Sequence, residues 1–467
     1  MPKTDKEKTK SFILEFETGL TKKDKDLCEK KLRIGRSMYN AFLGEALKRY
    51  NSYQKDKRYK EVSKLYAEPK KQKDKLENQI KKLEEDGEKK NASKIKGLKQ
   101  ELKSYKDLCK QYGDVMNQIK KEHHWEGKYC LNDMRKEQSL HFKGAIGSMV
   151  AVTLAQRAYK TVEKYDENMK KYKSDYAKWI AEGKKEGKEP DRPEVNFIKK
   201  FSDSSIEGCS NDNGIIYRNG IIYFDIRKNQ YVAIKPARRN DEAYYNEALQ
   251  NRVKFCRLLS RTIRGKKRYY VQLCLEGNPP IHREYGNGKI EILDVKISHA
   301  ELRKQGDKLQ IIELAPGCKN PEEKIAEIDR KMDASRRTTN PDNYNEDGTT
   351  KKGANKWVYS NNYRKLAARR KEIYRSMAER RKVAHEELTN KILVEGTDIT
   401  IKHLSYKKQQ QRSKKETEIN PSTGMPYSKT RQGKNIANRA PSEFLSILSR
   451  KLSYIDKTVI SESKGEE

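Results

Sequence analysis

The spacing of apolar residues changes along this chain and divides it into stretches of different predicted structure. Residues 11–17 (SFILEFE) form a short apolar run between polar segments, a pattern that indicates a β-strand. From about residue 20, apolar residues recur every three or four positions, which predicts amphipathic helices. Short β-branched and aromatic runs return after residue 196, and strands alternate with helices from residue 288 onwards. We therefore predict an α+β protein of several structural units.

The helical stretch predicts a long first helix, a helical hairpin and a second long helix. Two apolar runs flank Asp86-Gly87, a turn signal, and so predict antiparallel helices. One continuous helix is predicted over Met134–Tyr172. The predicted apolar faces consist of Leu32, Met38, Phe42 and Leu47 in the first helix, of Leu76, Ile80, Leu83, Ile95, Leu98, Leu102 and Tyr105 in the hairpin, and of Ile146, Met149, Leu154, Ala158, Val162 and Tyr165 in the last helix.

A charged linker at 183–194 (GKKEGKEPDRPE) precedes the β-rich stretch. Asn219-Gly220 between two apolar runs is the signal of a tight β-hairpin. We expect these strands and residues 11–17 to form one small β-barrel, with the helices inserted at 18–195. The strands predicted up to residue 287 are Ile215–Tyr217, Ile221–Ile226, Tyr231–Ile234 and Tyr269–Leu275. Those predicted after it are Lys289–Val295, Leu309–Leu314, Asp398–Leu404 and Lys457–Ile460, with helices at Pro321–Arg337, Tyr359–Leu393 and Pro441–Tyr454.

The charge of the chain points to a partner. Its 104 Lys and Arg residues against 68 Asp and Glu residues give a formal charge of +36. Self-repulsion of this size opposes compaction unless a polyanion compensates it, and nucleic acid releases counterions when its phosphates meet Lys and Arg. Basic residues recur from Lys3 to Lys464 instead of lining one helix face, which argues against a membrane-surface protein. A nucleic-acid-binding protein is predicted, with a basic ribosomal protein as the alternative.

Several common kinds of site are not indicated. The seven cysteines are scattered and include no CxxC pair, so a reduced, cytoplasmic protein without structural zinc is expected. The N-terminal sequence MPKTDKEKTK is too charged for a signal peptide. Residues 343–348 imitate the start of a calcium loop, but Ala354 stands where the closing Glu belongs, so a plain turn is predicted. His123-His124 has no cysteine at metal-ligand spacing, and we expect both rings to be solvated or to face RNA.

Residues 313–392 closely resemble the RuvC-like domain of the TnpB family, the transposon-encoded relatives of type V CRISPR effectors. The resemblance is strongest in RKMDASRRTTNPDNYNEDG (330–348) and NIANRAPSEFLSILSRKL (435–452). RSMYNAFLGEALKRY (36–50) is also similar to the family's first recognition-lobe helix. The resemblance spans nearly the whole chain in architecture, although only the RuvC part is distinctive.

The resemblance implies three kinds of domain. Residues 1–17 and 196–287 would form a wedge-type β-barrel, residues 18–195 a helical recognition lobe, and residues 288–467 a C-terminally truncated RuvC/RNase H-like α/β domain without the zinc ribbon. It also implies a guide RNA and a double-stranded target DNA with a short flanking motif as partners. We expect a monomer that acts at the nucleoid of a prokaryotic cytoplasm and has no membrane partner.

RuvC nucleases hold two divalent metals with three or more carboxylates. The first is an Asp in a GIDxG pattern, which matches Asp294 in ILDVK (292–296), without the glycines. The second is a Glu, and in IKHLSYKKQQQR (401–412) its place is taken by Lys402. The third Asp and the zinc ribbon have no match before Glu467. The resemblance thus implies a vestigial site (Asp294, Lys402) with no catalytic residue and no bound magnesium or zinc, in which we expect Lys402 to pair with Asp294.

Within the family, the chain resembles the TnpB-like nuclease-dead repressors (TldR). They imply RNA-guided repression of transcription, in which the bound complex blocks RNA polymerase at a promoter. The predicted contacts to guide RNA or heteroduplex are Arg336, Arg337, Arg364, Arg369, Arg370, Arg380 and Arg381. The predicted contacts to flanking-motif DNA are Tyr39, Asn40, Lys143 and Ser148.

Three alternatives stay open. An active or residual RNA-guided endonuclease of a transposon would cut its target in the presence of magnesium. A decayed transposon protein would fold and bind its RNA without binding guided DNA. A non-guided RNA-binding or structural protein would show an affinity that does not depend on complementarity between guide and target.

Overall fold

The fold is mixed α and β, as predicted, and contains a four-stranded, a three-stranded and a five-stranded sheet. The computed structural model describes residues 9–85, 88–181, 190–200, 202–304, 306–318, 321–351, 353, 356–402 and 433–462. The predicted turn at Asp86-Gly87, most of the linker 183–194, and residues 403–432 lie outside these ranges. None of the described helices has the length and apolar character needed to cross a membrane.

The elements are named here in chain order. The strands are β1 (Ser11–Thr18), β2 (Ser205–Glu207), β3 (Ile216–Arg218), β4 (Ile221–Asp225), β5 (Gln230–Ala233), β6 (Val253–Ile263), β7 (Lys266–Glu276), β8 (Gly288–Val295), β9 (His299–Lys304), β10 (Gln310–Glu313), β11 (Gly396–Lys402) and β12 (Ile460–Glu462). The helices are α1 (Lys22–Lys55), α2 (Lys57–Glu85), α3 (Glu88–Glu122), α4 (Asn132–His141), α5 (Ser148–Ala181), α6 (Glu242–Ala248), α7 (Glu322–Thr339), α8 (Asn361–Glu395), α9 (Gly433–Arg439) and α10 (Pro441–Ser453).

The four-stranded sheet joins the first strand of the chain to strands that follow the helices. Its order is β1-β7-β6-β2, and each neighbouring pair is antiparallel. Buried Phe12, Leu14 and Phe16 alternate along β1 with more exposed residues, because one face of the strand packs on the core. The strand predicted over 11–17 is confirmed. Its pairing with β7, from Ser11 opposite Glu276, anchors both ends of the long helical stretch to one sheet.

The described strands do not close into the predicted barrel. The strands β3, β4 and β5 form a separate antiparallel sheet, which the bridge between Thr18 and Ile234 links to β1. The hairpin signal at Asn219-Gly220 is confirmed, since both residues have positive φ (46° and 78°) between β3 and β4. Closure fails because the Asn211 side chain bonds to both backbone groups of Tyr217, at 2.8 and 3.3 Å, and occupies the edge of β3 that a further strand would need.

The helices form a packed group and a projecting hairpin. In α1, Thr21 and Asp24 form a capping box, and the buried face packs along α5. The helices α2 and α3 pack through Leu76, Ile80, Ile95 and Leu102. Two ion pairs join the helices: Lys99 to Glu84 at 2.9 Å and Lys106 to Glu77 at 3.2 Å. The residue that comes later in α3 pairs with the residue that comes earlier in α2. The predicted antiparallel hairpin is therefore confirmed.

The helix predicted over Met134–Tyr172 is wrong as one element, because it is two helices. Lys143 and Gly144 both have positive φ (50° and 62°), which ends α4 in a left-handed turn before α5 starts. Lys31 secures this break, since its buried ammonium donates to the carbonyl oxygen of Ala145 at 2.6 Å and to Gln230 of β5 at 2.6 Å. The break thereby positions α5 against α1 and against the three-stranded sheet.

The five-stranded sheet has the order β10-β9-β8-β11-β12. The strands β8, β9 and β10 are antiparallel neighbours, whereas β11 is parallel to β8 and β12 is parallel to β11. The strand β9 was not predicted. The predicted last strand at Lys457–Ile460 lies at Ile460–Glu462 instead. Because β11 returns beside β8 after the long α7–α8 hairpin, residues about a hundred positions apart meet at one edge of the sheet.

One face of this sheet is apolar and is covered by α8 and α10. Ile290, Ile292 and Ile399 of the sheet pack in one core with Ile392 of α8 and Phe444 of α10. The predicted helices Pro321–Arg337, Tyr359–Leu393 and Pro441–Tyr454 are confirmed with shifts of one or two residues at their ends.

A buried histidine lies beside this core. The side chain of His385 is 0% exposed, and its Nε2–H donates to the carbonyl oxygen of Arg439 at 2.8 Å. Burial lowers the pKa of the imidazole, despite the nearby Glu443 carboxylate. Within the described residues Nδ1 has no hydrogen-bond partner, so protonation would bury an unpaired N–H.

Acid is therefore expected to destabilise the fold through His385. Its pKa in the folded chain lies below the ordinary value of about 6.5, so its contribution to stability is present above that pH and is lost as the pH falls, by at most about 1.4 kcal/mol per pH unit. His385→Gln keeps a donor for Arg439 but cannot titrate. When the pH is lowered from about 7.5 to about 5.5, the denaturant midpoint should fall more in the parent than in the variant. Equal falls in the two proteins would contradict the assignment.

Candidate nucleic-acid interface

Asp294 and Lys402, the two residues predicted to form a vestigial metal site, lie at the carboxyl ends of two neighbouring parallel strands. Ile401 of β11 stands opposite Ile292 of β8. Lys402 is the last residue of β11, and Asp294 is the last but one of β8. Adjacent strands are about 4.8 Å apart, so the two backbones meet at one edge of the sheet. The Lys402 side chain lies outside the described part of the structure, and its ion pair with Asp294 stays a prediction.

A β-bulge turns Asp294 away from the apolar core. Ile292 and Asp294 pair with consecutive residues of β9, the second of which is Glu301, so Leu293 has no partner of its own. Ile292 and Val295 are buried, whereas Asp294 is partly exposed. The extra residue therefore places Asp294 beside Glu301 on the polar face of the sheet.

Two other carboxylates on this polar face, those of Glu301 and Glu291, lie beside basic side chains. Lys296 forms an ion pair with Glu301, and Nε2 of His299 lies 3.6 Å from the same carboxylate. Nε of Arg303 lies 3.4 Å from Glu291. The hydrogen bond from Lys296 lowers the pKa of Glu301. Among the residues that the structure describes, no three His, Cys, Asp or Glu side chains are arranged to hold a metal ion.

Two of the predicted RNA-binding arginines end α7 beside an aromatic loop. Arg336 and Arg337 both pair with Asp333, at 2.6 and 2.7 Å. The guanidinium group of Arg336 lies 5.2 Å from the ring centre of Trp357, and that of Arg337 lies 4.9 Å from that of Tyr344. The sequence reasoning missed both rings, although aromatic residues among Asn, Gly and Lys were visible in this polar loop.

The remaining predicted arginines follow α8. Arg370 pairs with Asp329 of α7 at 3.0 Å, and Arg381 pairs with Glu443 of α10 at 2.8 Å. Arg364, Arg369 and Arg380 are exposed and form no ion pair within the described ranges. At 1.5 Å per residue, Arg364 and Arg381 lie about 25 Å apart along the helix. The arginines therefore follow the length of α8 and do not form one cluster.

The residues predicted to contact the flanking motif fall into two groups. Tyr39 is buried and its hydroxyl bonds to Thr161 of α5 at 3.0 Å. The Asn40 amide forms a reciprocal pair with the backbone of Ile198, at 3.0 Å in both directions. Lys143 and Ser148, in contrast, are exposed at the break between α4 and α5. Of the four, Tyr39 is buried, Asn40 is partly exposed, and only Lys143 and Ser148 are exposed; the contact of all four with DNA stays a prediction.

Comparisons with known proteins return only distant structural likeness. No protein-family model matches the chain, and no curated protein sequence matches it. A cryo-EM structure of a Cas12f1–sgRNA–target DNA complex is similar over 97% of this chain and 89% of that chain, with 13% identity and a TM-score of 0.35. A cryo-EM structure of a CRISPR–Cas12f ternary complex matches over 87% and 72%, with 11% identity and a TM-score of 0.23. The functional conclusion therefore depends on the residues of this chain.

Neighbouring arginines on α8 offer a matched test of the interface. Arg381→Ala should lower the free energy of unfolding by about 1–2 kcal/mol, because it leaves the partly exposed Glu443 carboxylate unpaired and removes a hydrogen bond to the Ala437 carbonyl. Arg380→Ala should change stability by less than about 0.5 kcal/mol but reduce the slope of log affinity for RNA against log salt by about 0.7. Chemical denaturation and RNA titrations at several salt concentrations check both. An unchanged salt slope in Arg380→Ala would exclude a phosphate contact there.

Proposed function

We propose that this chain is an RNA-guided DNA-binding protein that does not cut its target. It binds a structured guide RNA, opens duplex DNA next to a short flanking motif and pairs the guide with one strand. The bound complex then represses transcription by blocking RNA polymerase at a promoter. In such a system base pairing supplies the sequence specificity, while the protein recognises the short motif and the shape of the heteroduplex.

The five-stranded sheet supports the nuclease-like ancestry in this proposal. If β8 to β12 are numbered one to five in chain order, their spatial order in the sheet is 3-2-1-4-5. The second of them, β9, is antiparallel to the other four. RNase H-like folds have this arrangement, and the sequence resemblance assigns residues 288–467 to that class. Fold likeness alone does not give activity, so the question of cutting depends on the residues at the strand ends.

The observation that carries the proposal is a lysine that ends the strand next to Asp294, the residue that the resemblance matches to the family's first metal ligand. Asp294 and Lys402 stand at the adjoining ends of β8 and β11. A unit charge 4 Å from another costs on the order of 4 kcal/mol at an effective dielectric of 20, and a divalent ion doubles this. An ammonium at this distance from Asp294 would therefore repel magnesium, and it would pair with Asp294 instead.

The neighbouring carboxylate does not replace the missing ligand. Glu301 stands opposite Asp294 in the sheet, but it already pairs with Lys296 and lies 3.6 Å from Nε2 of His299. A two-metal centre needs three or more carboxylates to clamp the attacking and leaving oxygens. The Lys296 ammonium would compete with any metal for this acid.

The proposal predicts guided binding without cutting. The RNA that copurifies with the chain should be sequenced, and its variable end should identify the target. With that RNA, the chain should bind complementary duplex DNA at least tenfold more tightly than a scrambled duplex, and both strands should remain intact with magnesium. Gel-shift and denaturing-gel assays measure these two outcomes. Magnesium-dependent cutting would overturn the proposal, and affinity independent of complementarity would reduce the chain to an RNA-binding protein.

A charge reversal tests the account of the metal site. Lys402→Glu should not restore cutting, because Asp294 and the new Glu supply only two carboxylates where the chemistry needs at least three. Lys402→Ala serves as the matched control, since it removes the ammonium without adding a ligand. Recovery of cutting in Lys402→Glu but not in Lys402→Ala would show that a third ligand is present and that the description of the site is wrong.

A further inference from the structure

A rigid aromatic platform lies where the loop after α7 enters α8. Asn340 is buried and fixes the two ends of this loop, because its amide donates to the carbonyl oxygen of Val358 at 2.8 Å and accepts from Val358 N–H at 2.7 Å. The hydroxyls of Ser335 and Ser360, one on each side of the loop, lie 2.7 Å apart. The loop therefore returns to α8 in a defined position.

That return places one tyrosine flat on another. The rings of Tyr359 and Tyr363 have centres 4.5 Å apart and planes inclined by 25°, which is a parallel stack. Tyr363 is partly buried, while Tyr359 is 39% exposed and the adjacent Val358 is 54% exposed. One face of Tyr359 is covered by its neighbour, so the exposed part of the ring is open to another planar group.

The surroundings of the stack select an anionic ligand. Residues 348–371 include eight Lys or Arg residues and no Asp or Glu, and of these Arg370 and Lys371 pair with Asp329 and Asp203 from other segments. Lys356, Arg364 and Lys365 are exposed beside the two tyrosines. A planar, polyanionic ligand matches this combination, and nucleic acid is the macromolecule that provides both properties. The bases must be unpaired, since stacking faces inside a duplex are covered by neighbouring base pairs.

We propose that Tyr359, backed by Tyr363, stacks on an unpaired base of RNA while the adjacent Lys and Arg residues contact its phosphates. This proposal rests on the proposed function, because a guide RNA is the unpaired strand that would accompany the chain throughout. Single-stranded RNA is favoured over DNA for that reason. The proposal adds aromatic contacts with RNA to a surface where the sequence analysis predicted RNA contacts from arginines only.

Tyrosine variants of the full-length chain, freed of copurifying nucleic acid at high salt, test the platform. The probe is a fluorescent oligouridine of about 15 nucleotides, long enough for a single-strand site. Tyr359→Ala should weaken binding by on the order of 5- to 150-fold, the equivalent of the usual cost of losing one base–aromatic stack. Tyr359→Phe keeps the stacking face and should bind as the parent does.

The salt dependence separates stacking from charge. Tyr359→Ala should lower affinity without changing the slope of log affinity against log salt, whereas Arg364→Ala should reduce that slope by about 0.7. Tyr231→Ala is the matched control, since Tyr231 is 44% exposed and its ring lies 5.8 Å from that of Tyr223, but at a tilt of 47°. Equal thermal unfolding midpoints of the parent and the variants would show that unfolding of the first turn of α8 does not cause the loss of binding.

Three results would overturn the platform: no loss in Tyr359→Ala, an equal loss in Tyr231→Ala, or an equal loss in Tyr359→Phe. Tighter binding of an oligothymidine of the same length would overturn the assignment to RNA. Each outcome is independent of the proposed function, whose failure would appear in the parent chain as DNA binding that ignores complementarity.

Discussion

The pairing of β8 with β11 is the constraint on which the functional account depends. These strands are separated in sequence by the whole α7–α8 hairpin, so closing the loop between them costs conformational entropy that the shared core of Ile290, Ile292 and Ile399 must offset. Parallel pairing brings the carboxyl ends of both strands to one edge. The backbones of Asp294 and Lys402 therefore become neighbours through the topology of the sheet, although Asp294 does not contribute to that core.

The arginines of this region fall into two groups, those with a nearby carboxylate partner and those without one. Arg336 and Arg337 pair with Asp333 within α7, whereas the pairs of Arg370 with Asp329 and of Arg381 with Glu443 join α8 to α7 and to α10. Exposed arginines such as Arg364 and Arg380 have no carboxylate partner among the described residues. Phosphates can compensate the second group without disturbing the fold, whereas the first group is committed to it. A sequence gives both groups the same letter, so only geometry separates structural arginines from candidate binding arginines.

Local signals were predictable from the sequence, and long-range and irregular features were not. The Asn219-Gly220 hairpin and the α2–α3 hairpin follow from turn residues and from 3.6-residue periodicity. The break at Lys143-Gly144 escaped because lysine rarely adopts positive φ and the apolar period continues across it. The strand β9 escaped because charged residues alternate with only a few apolar ones. Closure of the barrel depended on Asn211, whose side chain reaches the edge of β3 only because of the conformation of the six residues that follow it.

In the candidate site, too, the order of residues could be predicted from the sequence, whereas their arrangement in space could not. Alignment to a family motif could place Lys402 where a carboxylate belongs, because that inference needs only the order of residues. It could not reveal the bulge at Leu293, which turns Asp294 to the polar face and sets it opposite Glu301. Nor could it reveal that Lys296 and His299 crowd Glu301. If a metal ligand is lost, a carboxylate left beside it becomes an uncompensated charge, and nearby cations stabilise it. The ion pairs on this face are therefore consistent with the proposed function, in which this edge of the sheet does not bind magnesium.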